Sequence, residues 1–89
     1  MRAVVSVIGK DAVGIIAQVS AVCAQCGASI SDISQTVLDE YFTMIMIVEI
    51  GELNLPFDAF SDRMSALGKA EKLDIHVMHE DIFNSMHRV

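Results

Sequence analysis

The amino-terminal strand-to-helix transition reads VIGKDAVGIIAQVSAVCAQCGASISD, from Val7 to Asp32. It starts as an apolar strand, passes through a loop bounded by Gly9 and Gly14, and continues as a helix from about Ile15. The start of a helix leaves backbone amides without partners and carries the positive end of the helix dipole. We therefore expect this loop to offer a docking place for a carboxylate, held in position by the rest of the chain.

The helix that follows has apolar residues at spacings of three and four, which predicts one face packed on a sheet. Asp11 is placed to cap its start. Gly27 follows the last apolar position, where a left-handed residue typically ends a helix. The inward stripe consists of Ile15, Ile16, Val19, Val22, Cys23 and Cys26.

The composition indicates one small acidic domain over residues 1–89. Of the 89 residues 53% are hydrophobic, and 12 acidic against 6 basic residues give a formal net charge of −6. A chain of this length leaves about a third or more of its surface wet, so self-association would add stability. The negative charge argues against nucleic acid or an anionic membrane as the main partner. We expect small ligands or other proteins instead.

The amino-terminal apolar run ends at Gly9 and Lys10, which is too early for the core of a signal peptide or for a membrane span. The chain has only two cysteines, so it cannot build a framework of secreted disulfides. Both observations lead us to expect a cytoplasmic protein.

The periodicity of the whole chain predicts strand, helix, strand, strand, helix, strand and a short terminal helix. The short turn Asp39-Glu40 makes the second and third strands antiparallel neighbours, and Pro56 suits the first turn of the second helix. This order is the ferredoxin-like βαββαβ plan of the α+β class, with a four-stranded antiparallel sheet and two helices on one face. The predicted strands cover residues 2–8, 30–38, 41–50 and about 73–80, and the C-terminal helix covers 81–88.

Two irregularities qualify this plan. The apolar phase of the second strand shifts after Ile30, so we expect a bulge near Asp32 and Ile33. The sheet face away from the two helices also carries apolar side chains, and an exposed patch of this kind needs a cover. We expect a homodimer in which the terminal helix takes part. The patch comprises Val4, Ile8, Ile45, Ile47 and Met78.

Two motifs, GKDAVGII at residues 9–16 and CGASISDISQ at residues 26–35, resemble the ACT domain, a small amino-acid-sensing module. The stretch SQTVLDEYFTM at residues 34–44 resembles the small stand-alone bacterial and archaeal ACT proteins of unassigned function. The resemblance covers nearly the whole chain. It implies a regulatory domain whose ligands lie between the first loop of one domain and the second-strand region of its neighbour in a dimer. The positions that it implies for the site are Lys10, Asp11, Gly14, Ile15, Ile30, Asp32 and Ile33.

The residues of the loop fit an α-amino acid as ligand. Gly14 lets a ligand approach the backbone, the helix amides can hold its carboxylate, and Asp11 or Asp32 can take its ammonium group. The alternative is that Gly14 merely permits a tight turn and Asp11 only caps the helix. Both interpretations remain open at the level of sequence.

The other reactive side chains predict neither catalysis nor a metal site. Cys23 and Cys26 belong to the inward stripe at the C-terminal end of a helix, where the dipole raises a thiol pKa, so we expect buried, inert thiols. His76 and His79 lie on opposite faces of a strand. Carboxylates are scattered, and no serine stands beside a base. We therefore expect no enzymatic activity and no cofactor.

Two functional hypotheses follow. The first is a non-enzymatic regulatory module that binds a small amino acid or a similar carboxylate at a dimer interface. The second is a ligand-free adaptor that contacts a partner protein through the outer sheet face and the C-terminal helix.

Overall fold

The computed structural model describes residues 1–10 and 14–86, which form one antiparallel sheet and three helices. The strands are β1 (Arg2–Gly9), β2 (Ser29–Leu38), β3 (Tyr41–Glu49) and β4 (Asp74–His79). The helices are α1 (Ile15–Cys26), α2 (Phe57–Glu71) and α3 (Glu80–Met86). None of the helices in these ranges is long and apolar enough to cross a membrane.

The sheet has the strand order β2-β3-β1-β4, and every neighbouring pair is antiparallel. Helices α1 and α2 contact each other and lie along the β2 and β4 sides of the sheet. This confirms the predicted ferredoxin-like βαββαβ fold. Strands β2 and β4 are the two edges, while β1 and β3 are paired on both sides.

The core lies between the sheet and the first two helices because alternate strand residues point to that inner face. Phe60 and Met64 of α2 are fully buried against it, and Val19 does the same from α1. The strands contribute Ala3, Val5, Val7, Phe42, Met44, Met46, Val48 and Ile75.

Gly27 ends α1 as predicted, with φ 81° in the left-handed region. The loop that follows β3 clamps this helix end. Asn54 donates its backbone N–H to the carbonyl of Cys26 at 2.9 Å and its side-chain Nδ2 to the carbonyl of Gln25 at 2.8 Å. The clamp satisfies carbonyl groups that a helix end would otherwise leave unpaired.

The predicted bulge is present at the start of β2. Ile30 pairs with Val48, but the next paired residue is Asp32, opposite Ile47, so Ser31 is the extra residue. The insertion lets Ile30 and Ile33 both pack against the core. Asp32 folds back locally, and its Oδ1 accepts the N–H of Ile33 at 2.9 Å.

Several element boundaries differ from the sequence prediction. The strands cover 2–9, 29–38, 41–49 and 74–79 rather than 2–8, 30–38, 41–50 and about 73–80. Pro56 is the N-cap of α2 rather than a residue of its first turn, since its backbone is still extended, with φ −60° and ψ 151°. Helix α3 begins at Glu80, directly after β4, one residue earlier than expected. The last two positions of the predicted helix, 87 and 88, lie outside the described residues.

Gly27 and Gly51 provide a matched test of the helix clamp. A Cβ at Gly27 would lie 2.6 Å from the backbone oxygen of Glu52, and φ is positive there, whereas a Cβ at Gly51 meets no described atom within 4 Å. We expect Gly27→Ala to lower the free energy of unfolding by about 2–4 kcal/mol, combining left-handed strain with a backbone clash. Gly51→Ala should stay within about 0.5 kcal/mol of the wild type. Urea denaturation measures both, and equal losses would contradict the clamp.

Candidate functional site

The start of α1 is open to approach from outside. Gly14 is its N-cap, with φ 74° and ψ −3°, and no side-chain cap is bonded to it. A Cβ added at Gly14 would meet no described atom within 4 Å. The first helical hydrogen bond runs from the N–H of Gln18 to the carbonyl of Gly14 at 3.0 Å, so the three preceding amides have no acceptor within the helix. Asp11, the predicted cap, lies outside the described residues.

Lys10 stands at the same end of the sheet, beside the β2–β3 hairpin. Its Nζ lies 3.9 Å from Oε1 of Glu40 and 5.8 Å from the centroid of the Tyr41 ring. The hairpin turn carries Asp39 with φ 57°, a left-handed conformation that few non-glycine residues adopt. Lys10 thus supplies a cation at the rim of the loop, partly balanced by Glu40.

Ile15 has a different role from the other predicted site residues. Its side chain is 2% exposed and belongs to the hydrophobic core. Only its backbone amide is in a position to meet a ligand at the helix start, and the side chain cannot contribute to specificity there.

The predicted site residues on β2 lie away from the end of the sheet at which Lys10 follows β1. Ile33 is level with Met46 and Val5, whereas Gly9 is level with Phe42 and Val37. Four residues along a strand amount to ~13 Å. Asp32 is exposed, while Ile30 and Ile33 pack partly into the core. One chain therefore does not bring Asp32 close to the end of its own β1, where Lys10 follows Gly9.

Strand β2 is an edge with little protection. It has ten residues, most of them exposed, and it contains no proline, lysine or arginine, the residues that commonly block edge pairing. Val37 lies on the inner face and is nevertheless 70% exposed, and Leu38 beside it is 73% exposed. The cause is a mismatch of lengths, because a 12-residue helix spans ~18 Å and a 10-residue strand ~33 Å.

The exposed hairpin tip is the feature that sequence reasoning missed. The sequence analysis gave no burial for Val37. Comparing the lengths of the predicted helix and strand would have shown that α1 is too short to cover both ends of β2.

Both cysteines are buried, as predicted: Cys23 is 1% exposed and Cys26 is fully buried. Burial, together with the neighbouring Cys26, raises the pKa of the Cys23 thiol from 9.0 to about 11. Arg63 lies over the cysteine pair on the solvent side. Its Nη1 donates to Cys26 Sγ at 3.4 Å, and its Nη2 donates to Gln25 Oε1 at 2.6 Å. A thiol in this state is a poor nucleophile.

The histidines serve local contacts. Nε2 of His76 lies 2.9 Å from Oδ1 of Asp74 on the outer face, opposite Ser6. His79 pairs with Ala3 and therefore belongs to the inner side, where its ring is 6.3 Å from that of Phe57. Within residues 1–10 and 14–86 no three His, Cys, Asp or Glu side chains come together in a way that could hold a metal ion.

A concave region lies on the outer sheet face, the side away from α1 and α2. Helix α3 contacts β1 and β4 and so covers part of the predicted apolar patch. Val4 is only 5% exposed, but Ile8 and Ile45 remain 42% and 39% exposed. Beside the helix is a depression of about 310 Å³, which is lined by Val4, Ser6, Ile45, His76, Met78 and Phe83.

Comparison with known proteins agrees with this architecture. The profile of the ACT domain family matches residues 2–79. The chain belongs to the ACT domain family. It is 44% identical to a UPF0237 protein of Listeria innocua, over 100% of both chains, and 43% identical to one of Methanosarcina acetivorans, over 99% of this chain and 96% of the relative.

Solved structures with the same fold include other ACT domain proteins and parts of larger proteins. An ACT domain protein from Streptococcus pneumoniae is 41% identical and superposes with a TM-score of 0.82 over 93% of each chain. A formyltetrahydrofolate deformylase from Pseudomonas syringae is 22% identical, with a TM-score of 0.77 over 88% of this chain and 27% of the enzyme. The second likeness shows that the fold also occurs as part of a larger protein. ACT domains are regulatory ligand-binding modules, and this chain has their architecture.

The buried thiol predicts a specific pH dependence. The pKa of Cys23 is 9.0 in an unfolded chain and about 11 in the folded one. Between these values the unfolded chain loses the proton and the folded chain keeps it, so stability falls as pH rises from about 9 to 11. We expect this residue to account for ~2–3 kcal/mol of that fall. Cys23→Ala should be less stable at pH 8 but show a shallower decline, measured by urea denaturation at each pH. An unchanged slope would contradict the assignment.

Proposed function

We propose that this ACT domain is a cytoplasmic, non-enzymatic sensor that binds a small α-amino acid, or a similar carboxylate, between two copies of the chain. The observation that carries the proposal is the open start of α1 at Gly14. No described atom blocks it, and the three amides that follow have no acceptor within the helix. Amides and a dipole arranged in this way favour an anion.

The second chain enters through the exposed edge of β2. Antiparallel pairing of two β2 edges about a two-fold axis sets the Leu38 end of each strand beside the Ser29 end of the other. The helix start of one chain then faces the bulge of its partner, where Asp32 is exposed. The same pairing gives the exposed Val37 an apolar neighbour on the inner face, since inner-face residues meet inner-face residues across such an edge.

The two ends of the site have complementary charge. The helix start and the ammonium group of Lys10 attract a carboxylate, while Asp32, which lies level with Ile47 on the outer side of the other chain's β2 edge, would attract an amino group that reaches across that edge. An α-amino acid carries both groups on one carbon, so it would bridge the chains. Binding would then stabilise one arrangement of the dimer, and that arrangement is the signal that a regulated protein can detect.

Calorimetric titration with the common amino acids tests the proposal. We expect at least one of them to bind, and Gly14→Ala to weaken its binding at least ten-fold, because the new methyl group occupies the approach to the amides. The Cβ meets no described atom, but φ at Gly14 is 74°, so the variant carries left-handed strain of about 1–2 kcal/mol and its folding is checked by urea denaturation. Gly51→Ala, which adds a methyl group without that strain, is the control and should bind normally.

Asp32→Asn separates recognition of the amine from recognition of the carboxylate. It should weaken binding of the amino acid about ten-fold and leave binding of the corresponding 2-hydroxy acid unchanged, since only the amino acid loses an ionic partner. Asp62→Asn, on the exposed side of α2, controls for the change in net charge. The absence of heat with every amino acid would contradict the proposal.

A further inference from the structure

All three lysines of the chain lie at one end of the molecule, although its formal net charge is −6. Lys10 follows the end of β1, Lys69 lies in the last turn of α2, and Lys72 comes directly after that helix. Lys10 and Lys72 line one depression of about 330 Å³, together with Glu71 and Leu73. Clefts that bind small molecules typically have volumes of ~300–1,000 Å³.

The pairing of β1 with β4 explains why Lys10 and Lys72 are neighbours. The last pair of this ladder is Ile8 with Asp74, so the same register continued by two residues sets Lys10 opposite Lys72. Like charges directly opposite each other across two antiparallel strands are destabilising. An anion between the two ammonium groups would remove this repulsion.

The end of α2 holds Lys72 in position. Lys72 is the C-cap, with φ 58° and ψ 42°, a left-handed conformation that few residues other than glycine adopt. The N–H of Leu73 donates to the carbonyl of Gly68 at 2.8 Å and fixes the turn into β4. A lysine at a helix C-terminus can serve only to balance the helix dipole. That role does not explain why Lys10, from a different part of the chain, lines the same depression.

The depression also has an apolar surface. Leu73 packs partly against the core, and a Cβ placed at Gly9 would clash with its Cδ2. Because Gly9 has no side chain, Leu73 can lie across the end of β1. A ligand with methylene groups between its charges can cover this apolar surface.

Glu71 places a carboxylate beside the two ammonium groups. The last carbonyl groups of a helix have no donor within it, and the negative end of the helix dipole lies there too. Both features of the end of α2 favour a cation close to Glu71. The depression therefore carries two positive charges and one negative charge.

Two other carboxylates nearby have contacts of their own. Oε1 of Glu40 lies 3.9 Å from Nζ of Lys10, but an exposed pair at this distance is weak, and an ammonium group has three donors. Oδ1 of Asp74 lies 2.9 Å from Nε2 of His76. Neither carboxylate lines the depression.

We propose that this depression binds an acidic α-amino acid, with its two carboxylates at Lys10 and Lys72 and its ammonium group at Glu71. Such a molecule carries two negative charges and one positive charge, which is the reverse of the site, and its methylene groups can contact Leu73. The site lies within one chain. It shares only Lys10 with the two-chain site proposed above and does not rest on that proposal.

Titration of the isotope-labelled full chain with L-glutamate and L-aspartate, followed by amide chemical shifts, tests the proposal. We expect saturable changes that are largest at residues 9–10 and 71–74. L-Glutamine lacks the second carboxylate and glutarate lacks the amine, so each should bind roughly five-fold more weakly or worse. Added salt should weaken the binding of L-glutamate, because the contacts are ionic and exposed.

Matched variants separate the depression from a general attraction to this end of the molecule. Lys72→Gln should weaken L-glutamate binding about five-fold, whereas Lys69→Gln removes the same charge outside the depression and should leave binding unchanged. Glu71→Gln should weaken L-glutamate binding but strengthen glutarate binding, because it removes both a partner for the amine and a repulsion for the dicarboxylate. Glu52→Gln, in the loop after β3, should change neither.

Three results would overturn the proposal: no saturation with either acidic amino acid, equal weakening by Lys72→Gln and Lys69→Gln, or equal affinity for L-glutamine and L-glutamate. Gly14→Ala should leave L-glutamate binding at the depression unchanged. If Gly14→Ala weakens it and Lys72→Gln does not, acidic amino acids bind at the start of α1 and the proposal made here is wrong. Binding of a neutral amino acid without binding of L-glutamate would overturn this proposal alone.

Discussion

Strand β2 is longer than helix α1, which packs beside it, and this difference in length determines which part of the strand is exposed. Helix α1 ends after about 18 Å, and the strand beside it continues for about 33 Å. The inner face of the hairpin is therefore left without cover by its own chain. The edge of β2 is also free, because this strand is the first in the sheet order. Val37, a valine on the core side of the sheet that is 70% exposed, shows the consequence most directly.

The candidate ligand site is divided along the sheet. Lys10 lies beside the hairpin tip at one end, and Asp32 lies at the bulge towards the other end. In the proposed site, the helix start would offer amides for a carboxylate, and Asp32 of a second chain would offer a carboxylate for an ammonium group. An antiparallel copy of β2 would bring these two halves together by symmetry.

Much of the fold could be predicted because each element carries its own local signal. The stop at Gly27, the bulge before Ile33 and the burial of Cys23 and Cys26 follow from residue spacing and turn chemistry, and the structure confirms them. The predicted inward stripe of α1 was wrong at Ile16, which lies about 100° around the helix from the buried Ile15 and is 38% exposed. The layout of the site could not be derived in this way. Whether Asp32 lies near Gly14 depends on the register of three strands, and the burial of Ile15 depends on how α1 sits on the sheet.

The central claim is that the ligand site is built from two chains, and subunit mixing measures this most directly. Gly14→Ala chains and Asp32→Asn chains are each expected to bind the preferred amino acid poorly, because every site in either dimer has one damaged half. In an equal mixture, half of the dimers are hybrids, and each hybrid has one site with both halves native. Calorimetry should therefore find about a quarter of the wild-type number of sites restored at wild-type affinity. If the mixture binds no better than its two components, the site is not shared between chains and the account is wrong.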